Sequence, residues 1–349
     1  MIKSKAAFLK DLGNWTYGEI NIPNPNLDQT IVKIIACGIC STDVVRSFGV
    51  GFYFYPIVPG HEMLGIVHKV GGKSFNIKEG DKVAVYPLIT KCDTEECCGY
   101  SSDPNLCSKY DFLGSRSNGG YSEYVLAPTC NLVKIPDSLT GKLGVLTEPM
   151  AVALHALKKS NYKNSENILI CGLGPIGILV AHWCKINSIK NVCGLDRNDI
   201  RFKNFKDTGY NNIINTNKDN INEKLLDYTE KKGFDIIFEC SGSEELFNFS
   251  ITALKKKGQL VVLSNQIQNI NLSKKTLNAL VRYEINIQGA WSSLIKPKDE
   301  WSEAIEGLVE IKNNLNNFIS HDYKLSESRE VFYRMHKKAF PFSKVILTP

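Results

Sequence analysis

Cys40, in Cys37-Gly-Ile-Cys40-Ser-Thr42-Asp43, precedes His61, in Gly60-His61-Glu62, by 21 residues. A thiolate and an imidazole are two of the three protein ligands a catalytic zinc takes, leaving one position open to water or substrate. A carboxylate would complete the set, and Glu148, in Thr147-Glu148-Pro149-Met150, is the candidate. Zinc so held would stabilise the alkoxide form of a substrate alcohol, which then expels hydride to a nicotinamide. Thr42 would pass the released proton towards solvent. Asp43 and Glu62 would orient the imidazole and tune the metal. Alone, a buried Cys is more often a small hydrophobe and a His-Glu pair is mostly chance. The combination is what favours a metal.

A second constellation follows. Ile168-Leu-Ile-Cys171 runs into Gly172-Leu-Gly174-Pro175-Ile176-Gly177 and then into a helical pattern. A glycine-rich turn by itself is weak evidence, but strand, turn and helix in this order are what a dinucleotide fingerprint requires. Gly172 permits the tight turn and Gly174 lets the backbone approach a pyrophosphate. Gly177 packs the helix on the strand, with the helix N-terminus facing the phosphates. Asp196 lies 19 residues past Gly177, where a carboxylate bonds the ribose hydroxyls and repels a 2′-phosphate. NAD(H) is therefore expected over NADP(H), although Arg197 and Arg201 nearby leave the latter open.

These residues need elements to position them. Over the first 150 residues, short runs such as Gln29–Ala36, Leu64–Val70 and Lys82–Tyr86 read as strands between Gly, Pro, Asn and Asp turns. From there to about residue 290, apolar strands (Asn167–Cys171, Val192–Leu195, Phe234–Glu239, Gln259–Leu263) alternate with helices such as Ile176–Asn187, which implies a parallel sheet. A helix over Lys298–Asn314 and a strand over Ser343–Leu347 close the chain. The expected fold is α/β: a β-rich catalytic domain over 1–153 and 293–349, with a cysteine-rich lobe at 90–110, split around a doubly wound domain over 154–292.

Composition excludes several classes. The 349 residues are 43% hydrophobic and 22% charged, with a net charge of +6 and no basic tract of the kind that grips nucleic acid. The N-terminus lacks a signal-peptide core and no run is long enough to span a membrane. A cytoplasmic protein is expected, with no nucleic-acid or membrane role, and its 11 cysteines point to metal rather than disulfides.

The motifs CGICSTD, GHE, Gly119-Gly-Tyr-Ser-Glu-Tyr124, TEPMAVALHA and GLGPIG resemble, in order and separation, those of the zinc-containing medium-chain dehydrogenase/reductase superfamily. That resemblance implies a GroES-like β-barrel catalytic domain plus a Rossmann domain with the site in the cleft between them, and a homodimer or homotetramer. Glutamate before proline at 148–149, Tyr86-Pro-Leu-Ile89, Tyr110-Asp-Phe-Leu-Gly-Ser-Arg116, Gly289-Ala-Trp291-Ser292 and Pro341-Phe-Ser-Lys344-Val345 resemble its polyol and polyol-phosphate dehydrogenases. The implied reaction moves hydride between NAD(H) and a secondary hydroxyl of a polyol or sugar-alcohol phosphate, in either direction. The resemblance carries Glu148 over as third zinc ligand; in some relatives the glutamate after the histidine, here Glu62, approaches the metal instead. It also makes Trp291 and Ser292 substrate-pocket candidates. Threonine, an aldose or a simple alcohol is the alternative substrate class, and a non-catalytic NAD(H)-binding protein the alternative role.

The family's structural zinc sits on C-x2-C-x2-C-x7-C. Here the spacing is Cys92-x4-Cys97-Cys98-x8-Cys107, which still allows a closed site, with Glu95 or Glu96 as substitutes, or else a lobe with free thiols. Arg46, Arg116 and Lys344 are the basic residues that would hold a substrate phosphate, solvated surface charge being their commoner fate. His155 reads as a packed helix residue, and Cys171, Cys184, Cys193 and Cys240 as core.

Overall fold

The computed structural model describes residues 1–90, 103–219, 221–265 and 269–349. By internal contacts the chain divides into two compact units, Met1–Glu148 with Ser293–Pro349, and Pro149–Ser292.

The first unit opens with β1 (Ile2–Leu9), β2 (Trp15–Ile22) and β3 (Gln29–Gly38), followed by the short α1 (Ser41–Val45). Then come β4 (Glu62–Val70), β5 (Lys82–Val85), β6 (Leu88–Ile89), β7 (Asp111–Phe112), β8 (Tyr124–Pro128) and β9 (Leu132–Lys134). Helix α2 (Thr147–Lys158) runs across the division between the units. The second unit contains β10 (Asn167–Cys171), α3 (Pro175–Ile186), β11 (Asn191–Asp196), α4 (Asp199–Asp207), β12 (Asn212–Asn215), α5 (Ile221–Tyr228) and β13 (Phe234–Glu239). It continues through α6 (Glu244–Ala253), β14 (Leu254–Val262), α7 (Lys274–Arg282) and β15 (Asn286–Gly289). The chain then returns to the first unit with α8 (Glu300–Ile311), β16 (Ile319–Lys324), α9 (Ser328–His336) and β17 (Lys344–Thr348).

The main sheet of the first unit has the order β16-β17-β3-β4-β5-β9, with β8 also on β3. Its strands are rich in β-branched residues, as pleated half-buried surfaces favour. Val32, Ile34, Val67, Val83 and Val85 turn into one core with Trp15, Tyr121 and Phe332. The β17–β3 pairing sets Ile346 against Gly38 and Leu347 against Cys37, so the last strand lies beside the chain entering Cys40.

The second unit is a six-stranded sheet of order β12-β11-β10-β13-β14-β15, every pair parallel. This is the doubly wound order, strand 1 of the unit lying next to strand 4. Central β10 is buried along four of its five residues, the signature of a strand covered on both faces. Strand β14 starts at Leu254 rather than Gln259: Lys255–Lys257 are exposed, and sequence polarity hid that part of the strand. Among the described residues no helix is long and apolar enough to cross a membrane.

Candidate functional site

Cys40 follows β3 and caps α1, and His61 immediately precedes β4, which begins at Glu62. Because β3 and β4 pair antiparallel, with Gly38 opposite Glu62, the two ends bring Cys40, His61 and Glu62 together. One donor atom from each lies within 4.8 Å of the others. Gly38 makes room for this: a Cβ there would fall 1.9 Å from a carboxylate oxygen of Glu62.

The surroundings fix each donor. Thr42 Oγ1 donates to Cys40 Sγ at 3.1 Å. Nδ1 of His61 faces Asp43 Oδ1 at 3.4 Å, which leaves Nε2 for a metal, and Tyr121 donates to Asp43 Oδ2 at 2.6 Å. Burial alone would lower the His61 pKa, but the Asp43 carboxylate overcomes it and holds the ring well above its ordinary value. Glu62 is sealed inside and ion-paired with Lys344, whose ammonium also donates to the Ile39 carbonyl at 3.2 Å. Lys344 is thus not available as a phosphate holder: β17 buries it, 2% exposed, against Glu62.

Glu148, at the start of α2, is buried but outside the compact trio. No ion pair or hydrogen bond meets it among the described residues. Burial raises its pKa to about 7 against the pull of His61. The two carboxylates therefore differ in kind. Geometry puts Glu62 nearest the thiolate and imidazole, whereas charge leaves Glu148 as the carboxylate still in need of a cation.

A soft thiolate, an oriented imidazole and a buried carboxylate are a donor set zinc accepts, and their mutual spacing suits one tetrahedral ion. Were zinc held by His61 and Glu148, both would have to lose protons. A raised carboxyl favours the metal-free fold at low pH and destabilises it as pH rises from about 4.5 through about 7. Uptake of zinc by the metal-free protein is expected to release protons into an indicator dye and to weaken steeply below about pH 7. Proton-free uptake, constant between about pH 6 and 8, would contradict this.

In the second unit, β10 ends at Cys171 and Gly172 turns the chain at φ +93°, where a Cβ would come 2.9 Å from Ser241. At Gly177 a Cβ would lie 2.0 Å from the Gly172 carbonyl, so the helix can pack there only without a side chain. Gly174 is the N-cap of α3, with Pro175 at the first helical position and Ile176 next. A Cβ on Gly174 would meet only Arg201, 4.0 Å away, so its backbone is open to a phosphate. Asp196, buried at the end of β11, accepts from Leu173 N at 2.8 Å and from Arg201 Nη1 at 3.0 Å. Arg201 keeps a buried Nε with no hydrogen-bond partner.

Glu239 escaped the sequence reading. Fully buried at the end of β13, it accepts from Ser241 N at 2.9 Å and from Gly242 N, and pairs with the Ser264 hydroxyl. It ties the loop that packs on Gly172 to the loop after β14. An acid ending the largely apolar run FDIIFE, where a core residue would be expected, was the available signal. Trp291 lies 39% exposed beyond β15, and Ser292 adopts φ +59°. Cys107 is buried, while Cys92, Cys97 and Cys98 lie outside the described residues.

Residues 26–137 match the family model described as alcohol dehydrogenase GroES-like domain, and residues 175–310 that of the zinc-binding dehydrogenases. The chain belongs to the zinc-containing medium-chain dehydrogenase/reductase family and is an enzyme of its alcohol and polyol dehydrogenase group, using zinc and a nicotinamide cofactor. Among its relatives, galactitol 1-phosphate 5-dehydrogenase of Escherichia coli is 28% identical over 325 residues, 92% of this chain and 93% of that one. Sorbitol dehydrogenase of Halalkalibacterium halodurans is 29% identical over 341 residues, 97% and 96% of the two chains. The crystal structure of galactitol-1-phosphate dehydrogenase from Escherichia coli superposes with a TM-score of 0.88 at 27% identity, covering 99% of this chain and 100% of that one.

Proposed function

We propose that the enzyme transfers hydride between NAD(H) and a secondary hydroxyl of a polyol or sugar-alcohol phosphate, with Cys40, His61 and Glu148 holding the catalytic zinc. The observation that carries this reading is the Cys40–His61–Glu62 cluster, oriented by Asp43 and backed by Lys344. Bound zinc supplies a Lewis acid that makes a substrate hydroxyl acidic near neutral pH.

The chain's own residues do the rest. Asp43 fixes the His61 tautomer and Tyr121 fixes Asp43. Lys344 neutralises Glu62, so that the carboxylate beside the metal adds no net charge. Thr42, half-exposed and already bonded to Cys40 Sγ, takes the substrate proton towards solvent. Asp196, now bonded to the Leu173 amide and Arg201, would hold the ribose hydroxyls, and the Gly172–Gly177 turn would receive the pyrophosphate. The cysteine-rich lobe is proposed as a second, structural zinc site, and a homodimer or homotetramer as the assembly.

The test is a matrix of initial rates over polyols, polyol phosphates, threonine and simple alcohols, with NAD+ or NADP+. The highest kcat/KM is expected for a polyol or its phosphate with NAD+. A preference for threonine or a primary alcohol would overturn the substrate class. An Asp196→Ala variant is expected to raise the KM for NAD+ about 10- to 100-fold, the worth of hydrogen bonds to a charged group, and to narrow the preference against NADP+. Unchanged cofactor kinetics would remove Asp196 from the ribose site.

A further inference from the structure

Two arginines in the first unit converge on one phenol ring. The Arg116 guanidinium carbon lies 4.1 Å from the ring centre of Tyr53 and 4.4 Å from that of Tyr110. The Arg46 guanidinium carbon lies 5.1 Å from Tyr53 and 5.8 Å from Phe52. Like charges gathered this way repel, and among the described residues no carboxylate stands within ion-pair range of either. Stacking on the rings holds both planes, and a guanidinium carries five N–H donors, more than these contacts use. Of the Arg46 donors, Nη1 is used by the Gly51 carbonyl at 3.2 Å. Arg116 and Tyr53 are exposed.

The positive charge registers on the neighbouring hydroxyl. Burial would raise the Tyr53 phenol, but its hydrogen bond with Arg46 and the charge of Arg116 bring it below the ordinary value. Two fixed guanidinium forks with no acid partner among the described residues suit a phosphate monoester, which accepts bidentate pairs from both.

Their place in the fold ties them to the chemistry. Arg46 directly follows α1, the helix that Cys40 caps, about 9 Å along the axis at 1.5 Å per residue. Arg116 follows β7, whose Phe112 packs edge-on against His61 with ring centres 5.6 Å apart. Both segments that carry the arginines thus start at the metal donors or at a ring touching one.

We propose that Arg46 and Arg116, held by Tyr53 and Tyr110, form a phosphate subsite that selects a polyol monophosphate over the free polyol. This rests on the polyol dehydrogenase reading above and narrows it to phosphorylated substrates.

The zinc-loaded full chain is assayed with galactitol and galactitol 1-phosphate, and with sorbitol and sorbitol 6-phosphate. The wild type is expected to prefer a phosphate ester at least about 100-fold in kcat/KM, as several charge-assisted bonds allow. Arg116→Leu, at an exposed site, and Arg46→Leu should each cut that ratio at least about tenfold, mainly through the KM of the ester. Equal use of ester and free polyol by the wild type would overturn the subsite while leaving the function standing. So would variants that melt earlier without changing the ratio, since the arginines would then only staple the loops. Calorimetric binding of each ester needs no turnover. Ester binding lost in Arg116→Leu, with no polyol oxidised by the wild type, would keep the subsite and sink the proposed polyol oxidation. Absence of ester binding by the wild type would overturn the subsite.

Discussion

A Cys40→Ala variant is expected to lose its catalytic zinc and at least about 10³-fold in kcat/KM, because the Lewis acid supplies several kcal/mol of transition-state stabilisation. Cys40 differs from the other described thiols. It is partly exposed, stands at a helix start and accepts from Thr42. By contrast, burial pushes Cys171 and Cys193 up to about 12 inside the parallel sheet, where they behave as small core hydrophobes. Cys193→Ala therefore serves as the control. It should keep zinc and turnover, with a stability cost from the lost core volume. Metal analysis of the purified variants alongside their NAD-linked rates reads both. Full zinc and turnover in Cys40→Ala would remove the residue from the metal site.

Lys344→Met is expected to destabilise the fold by about 3–5 kcal/mol, since it leaves the Glu62 carboxylate buried without a counter-charge. Burial would by itself drive the proton off Lys344, yet Glu62 keeps its pKa above the ordinary value, so the ammonium stays charged across neutral pH. For a unit of about 200 residues the loss corresponds to roughly 6–20 °C in Tm. The double variant Lys344→Met with Glu62→Gln should recover most of it, because a neutral amide costs far less to bury than an isolated charge. Thermal and denaturant melts of the two variants, with and without zinc, measure this. A single-variant loss below about 1 kcal/mol would mean that Glu62 is not relying on Lys344.

The parts of this molecule that local physics dictates were readable in the chain. Gly172, Gly174 and Gly177 could be placed because a strand, a tight turn and a helix start leave few other residues sterically possible, and the structure shows close contacts at the first and last. Cys40 and His61 stood out because a thiolate and an imidazole sit at the ends of two runs that read as strands. What the sequence left open depends on strand register and distant pairing. Lys344 lies 282 residues from Glu62, and only the β17–β3 register turns it inward. As a basic residue near the end of the chain, it read equally well as a phosphate holder or a solvated charge. The choice between Glu62 and Glu148 was equally out of reach, since both precede or follow ordinary motif residues. Their difference is one of counter-charge, visible only once Lys344 is in place. Arg46 and Arg116, 70 residues apart, meet through Tyr53 and carry no common spacing signal.

The most direct test of a zinc-dependent hydride transfer at Cys40 and His61 is to strip the metal and titrate zinc back while following NADH formation from a polyol or polyol phosphate. Rates should be near zero without zinc, and should rise in proportion to the ion that wild-type protein binds and Cys40→Ala does not. Full turnover in the stripped protein, or reloaded protein that oxidises no polyol or ester, would contradict it.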